Sequence, residues 1–239
     1  MKLRRPSNEA RARGLCAAQP TPLEAARSRA LYLRTYAANG CVPVIDASAA
    51  VHPTAVLIGD VFIGPDCWIG PNASIRGDQG RIVIGARTSI QDNCVLHTGP
   101  QGCMQIGEEG QIGHGAMLHG CTIGHNVLIG MGAIVLDDAV IEHDVLVAAA
   151  ALVAGGTRVP AGMLFVGSPG KVARPLKETE RASKRACTVH YAAMARAGVG
   201  MSWAPARIVS AAASDPALPG MDPSPGSVAE DEPSALATA

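Results

Sequence analysis

Written in sixes, the middle of the chain opens nearly every block with an aliphatic residue. The openers run Val51, Leu57, Ile63, Ile69, Ile75, then Ile84, Ile90, Leu96, then Ile106, Ile112, Leu118. They continue through Ile123, Ile129, Val135, Ile141, Val147 and Val153. Four places after most openers stands a small residue, among them Ala55, Cys67, Ala73, Thr88, Cys94, Ala116 and Ala133. An amphipathic helix needs apolar spacings of three and four, so this period excludes one. It predicts short parallel strands separated by tight corners, with opener and small residue both pointing inward. Three strands make one triangular coil, stacked about 4.8 Å above the last. Gly64, Gly70, Gly85, Gly107, Gly113, Gly124 and Gly130 directly follow their openers, and the expectation is that they supply unusual φ at the turns.

Beyond the repeat, Ser168-Pro169-Gly170-Lys171 is read as the turn that leaves the solenoid. Residues 176–200 read as a helix whose inner face carries Leu176, Ala182, Ala186, Val189, Ala193 and Ala197. It is expected to cap the last coils or join a subunit contact. The predicted organisation is a basic, disordered extension over 1–35, a β-helix domain over 36–175, the helix, and a disordered Pro/Ala-rich acidic tail over 201–239.

Composition agrees with a layered core, since aromatics are 3% of the chain against 27 glycines. A formal net charge of zero gives no reason to expect a nucleic-acid partner. Seven cysteines with no C-x-x-C pair point to a reducing cytoplasm rather than a disulfide framework. No apolar run reaches the roughly 18–20 residues that span a bilayer, so no membrane association is expected.

The register also predicts neighbours. The residues that follow three successive third-face openers are Arg76, His97 and His119, which should stack on one outer face. Asp92 and His114, each two places after an opener, should stack on the second face. Two imidazoles one coil apart suit a tetrahedral metal ion. His114, on another face, cannot reach that ion within one chain, so a neighbouring solenoid related by three-fold symmetry would deliver it. His52, His125, His143 and His190 are read as surface or satisfied residues.

Arg76-Gly77-Asp78, Gln91-Asp92-Asn93, His97 and the run from Gly113 to Cys121 resemble the γ-class carbonic anhydrases of the hexapeptide-repeat superfamily. The stretch Val51–Asp60 is most similar to the bacterial phenylacetic-acid-degradation and carnitine-operon subgroup. The resemblance covers about Tyr36 to Tyr191. It implies a left-handed solenoid, an all-β parallel β-helix of hexapeptide repeats closed by a C-terminal α-helix. It further implies a homotrimer with metal sites between subunits. His97, His114 and His119 would ligate Zn²⁺, or Fe²⁺ or Co²⁺. Gln91 would orient hydroxide or substrate, Asp92 would fix a ligand imidazole, and Arg76 and Asp78 would pair across the subunit contact. Tyr191 resembles a tyrosine near the site in some relatives.

The implied chemistry is metal-bound hydroxide acting on CO₂, giving bicarbonate, or on an acyl-CoA thioester in phenylacetate-type catabolism. Gln79 and the acid-free loop Thr98–Met104 offer no proton shuttle, so fast CO₂ hydration is not expected. The alternatives are a hexapeptide-repeat acyltransferase, which uses a histidine base without metal, and a non-catalytic trimeric scaffold.

Overall fold

The computed structural model describes residues 33–198. The extension before residue 33 and the tail from residue 201, both read above as disordered, lie outside the described residues.

Most strands are two or three residues long, as a period of six demands. Parallel pairing repeats from coil to coil and generates three faces of a left-handed β-helix of about seven turns. The first face stacks Ile45, Ile63, Ile84, Ile106, Ile123, Ile141 and Val159. The second stacks Val51, Ile69, Ile90, Ile112, Ile129, Val147 and Phe165. The third stacks Leu57, Ile75, Leu96, Leu118, Val135 and Val153. These openers and the small residues between them form one continuous buried core. Stacking satisfies each strand's backbone from the coils above and below, so two-residue strands suffice.

Two corners depart from the expected tight turns. Val56–Ile63 and Ser74–Ile84 each run as one unbroken strand from the third face to the first. Gly59 and Gly77 pair there at van der Waals limits: a Cβ on Gly59 would collide with the Gly77 carbonyl, and one on Gly77 with the Asp60 carbonyl. The strand Arg34–Tyr36 pairs with Val56–Ile58, so the ordered stack starts slightly before the expected boundary.

The expected role for the glycines after the openers is corrected. They keep ordinary φ; left-handed backbone falls three places after the opener instead, at Asp66, Asn72, Asn93, Asn126, Asp138 and Asp144 among others. Short Asn and Asp side chains tolerate that region better than most. The post-opener glycine answers a different need, close approach to the next coil. A Cβ on Gly85 would stand 2.6 Å from the backbone nitrogen of Glu108.

The solenoid ends in an antiparallel hairpin, Met163–Gly167 with Gly170–Pro175, around a cis Ser168-Pro169 bond. The helix spans Glu178–Gly198 and runs back along the second face to the first coils, rather than capping the last ones. Arg181 reaches the carbonyl of Gly162 near its start, and Arg196 pairs with Asp66 at 3.2 Å near its end. Its inner face is also not the expected one. Lys184, Thr188, Ala192 and Ala195 are buried, while Ala182, Ala186, Val189, Ala193 and Ala197 are exposed, Val189 at 67%. The reason lies on the solenoid. The buried Gln111 amide donates to Thr188 Oγ1 (3.0 Å) and to the Lys184 carbonyl (3.2 Å), and Lys184 Nζ donates to the Glu109 carbonyl. Polar partners draw the polar side of the helix inward. Among the described residues no helix is long and apolar enough to cross a membrane.

Candidate metal centre

Tight register fixes the site. Ile58, Arg76, His97 and His119 occupy consecutive rungs of the third face, each one place after its opener. One rung brings His97 Nδ1 to 3.0 Å from His119 Nε2, with ring centroids 5.0 Å apart and tilted by 56°. On the far side of His119, Nδ1 stands 2.6 Å from Asp137 Oδ1. Sequence reading missed Asp137. It sits two places after Val135, the position that Asp92 and His114 hold after their own openers, so the register contained its signal.

The protons along this row can be assigned. An ionised carboxylate only accepts, so His119 donates to Asp137 from Nδ1. Its Nε2 then carries a lone pair in the neutral ring. His97 must donate to it from Nδ1, which leaves a second lone pair on His97 Nε2. That atom faces Asp78 Oδ1 at 3.2 Å. Both atoms are buried and neither forms a hydrogen bond. With both rings neutral, two acceptors therefore face each other, an arrangement that costs free energy; a protonated His97 would instead donate from Nε2 to Asp78. A cation between His97 and His119 would relieve it. Both inner nitrogens would turn lone pairs to the ion, and His97 would carry its proton on Nε2, within reach of Asp78. The 3.0 Å gap is close to the roughly 3.3 Å that separates two nitrogens on a tetrahedral Zn²⁺. The donor set thus fits a divalent ion.

The other expected residues fall into two groups. Arg76 pairs with Asp78 at 3.5 Å within the chain. Asn39 Nδ2 donates to the Asp78 carbonyl at 2.7 Å, tying the chain's start to the same corner. His114 stands on the corner between the second and third faces, with Nδ1 2.6 Å from Asp92 Oδ2. Its Nε2 points away from that bond. Among the described residues no three His, Cys, Asp or Glu side chains gather closely enough to hold a metal, so His114 does not join His97 and His119 within one chain. Gln91 is buried on the same corner, directly after Ile90. Tyr191 lies on the helix, half-buried against Ala50, Trp68 and Ala195. Burial pushes its phenol above the usual range, and the Asp92 charge adds to the shift.

No family model matches the chain. It is 44% identical over 156 residues to the carnitine operon protein CaiE of Escherichia coli, covering 65% of this chain and 80% of that protein. It superimposes on a hexapeptide transferase family protein from Anaplasma phagocytophilum with a TM-score of 0.66 and 38% identity, covering 68% of this chain and 96% of that one. The chain belongs to the hexapeptide-repeat family. A second member, a Bacillus cereus protein assigned as an acetyltransferase, matches with a TM-score of 0.68 and 33% identity over 69% of this chain and 96% of its own. The hexapeptide-repeat family thus includes proteins described as transferases alongside the carnitine-operon relative.

Proposed function

We propose that this chain is a metal-dependent enzyme of γ-carbonic-anhydrase type that hydrolyses acyl-CoA thioesters, with CO₂ hydration as a slower reaction of the same centre. The observation that carries the reading is the buried pair His97 Nε2 and Asp78 Oδ1, neither hydrogen-bonded, beside two imidazoles whose nitrogens are spaced for one cation. The acetyltransferase description of the Bacillus cereus relative favours an acyl thioester as the substrate class. The acid-free loop after His97 speaks against rapid proton export, which fast CO₂ hydration requires.

His97 and His119 would hold Zn²⁺, Fe²⁺ or Co²⁺, and His114 of a neighbouring copy in a homotrimer would complete the set. When bound, such an ion polarises a carbonyl and makes water acidic enough to lose a proton near neutral pH. Asp92 fixes His114 by accepting its Nδ1 proton. Gln91, buried at the same corner, orients the thioester carbonyl. Arg76, partly exposed one rung from His97, attracts the anionic CoA. Tyr191, on the helix, feels the Asp92 charge.

Acyl transfer without metal is the second reading. The relatives' descriptions favour it more directly than they favour hydrolysis, and His119 backed by Asp137 has the form of a general base with its orienting carboxylate. Against it, the nitrogen that would serve as base already faces His97. Protein purified without chelator should hold about one divalent ion per chain. It should release CoA from acyl-CoA in water, lose that activity on chelation, and regain it with Zn²⁺ or Fe²⁺. CoA release that needs an added hydroxyl or amine acceptor and ignores chelation would establish the transferase instead. Retained metal with no turnover would point to a scaffold.

A further inference from the structure

We propose that Asp137 is a positioning residue for His119 and that Gly120 exists to give it room. The inference rests on the metal reading above. Asp137 approaches from the rung above His119 and closes on Nδ1 at 2.6 Å. The residue directly after His119 is Gly120, at φ +53°, and a Cβ there would collide with Asp137 Oδ1. Any side chain at 120 would push the carboxylate off the imidazole, and only glycine combines the left-handed backbone with the empty volume.

Both side chains are partly exposed, His119 at 36% and Asp137 at 57%, so the Coulombic attraction is screened and contributes little to stability. What the contact supplies is selection. A neutral imidazole has two tautomers, and a metal ligand must present a bare nitrogen. With its Nδ1 proton held by Asp137, His119 presents Nε2 bare, toward His97 and the proposed ion. The carboxylate also makes the ring a stronger donor. Asp92 holds His114 Nδ1 at the same 2.6 Å, so two candidate ligands on different faces have the same backing.

The test reads the ring directly. In metal-free protein, ¹⁵N NMR at a pH where His119 is neutral should show its proton on Nδ1. Asp137→Ala should move that proton largely to Nε2, and chelator competition should show Zn²⁺ affinity lower by about 10–100-fold. Asp137→Asn keeps an acceptor oxygen in place and should recover the tautomer. Gly120→Ala should reproduce Asp137→Ala with the carboxylate still present. Unchanged tautomer and Zn²⁺ affinity within about twofold in Asp137→Ala would overturn the proposal. A wild type that binds no Zn²⁺ would overturn the metal reading, and the tautomer would then judge the hold of Asp137 on His119 by itself.

Discussion

A Cβ on Gly124 would stand 2.7 Å from the backbone nitrogen of His143, whereas one on Gly132 would meet nothing within 4 Å. Gly132 has φ +65°, while Gly124 has ordinary backbone. One residue is glycine because a neighbouring coil is close, the other because its own φ is left-handed. Gly124→Ala should therefore destabilise by about 1–3 kcal/mol, through overpacking against backbone that cannot give way. Gly132→Asn should stay within about 0.5 kcal/mol, since Asn accepts left-handed φ and the site is open. Urea denaturation of both variants checks the contrast. The sequence reading assigned Gly124 the turn role that Gly132 fills, because a letter carries no record of the coil above it. The same limit hid Asp137. The register placed Arg76, His97 and His119 on one column, as found, but Asp137 reaches His119 across an offset of one position and one rung. The register marks Asp137 as equivalent to Asp92 and His114, but side-chain length and direction decide that it meets His119.

At the scale of elements, the helix is the instructive case. Its existence and approximate bounds were legible from Leu176 to Ala197, but its inner face was not. Ala and Val on one side look like a packing stripe, yet the second face of the solenoid presents Gln111 and the Glu109 carbonyl, which select Lys184 and Thr188. Burial lowers the Lys184 pKa from 10.5 to about 8, although Glu109 and Asp144 pull the other way. The sign of the linkage follows. Below about pH 8 the lysine is charged in both folded and unfolded chains, and the folded state bears the cost of burying that charge. Between the folded value near 8 and the unfolded 10.5 the lysine holds more proton in the unfolded chain, so its contribution to stability rises with pH. Tyr191, with a raised pKa, and the buried Cys67, Cys94 and Cys121, raised to about 12, 11 and 12, act with the opposite sign toward the upper part of that window, and they cancel when wild type is compared with Lys184→Met. Urea titrations across the range should show a rise in wild type relative to Lys184→Met, which lacks the titrating group. Parallel curves for the two proteins would mean that Lys184 is neither buried nor perturbed as described.

At the scale of the whole molecule, the solenoid was legible because one period controls everything: strand length, coil height and which residues share a rung. The division of the proposed metal ligands follows from the same geometry. His97 and His119 share a rung pair on the third face, and His114 stands on a corner with its own aspartate, apart from them. If each ion bridges two chains, His97→Ala and His114→Ala should each give trimers in which every site lacks a ligand. Unfolded together and reassembled at equal concentration, the two variants should complement. A site is whole only where a chain with intact His97 meets a neighbour with intact His114. Random mixing in a closed three-fold ring makes that one half times one half, so about a quarter of sites should recover metal and activity. Were all three ligands drawn from one chain, no mixed trimer would contain a complete site. Absence of recovery, with mass measurements confirming mixed trimers, would remove both the shared site and the subunit arrangement inferred from it.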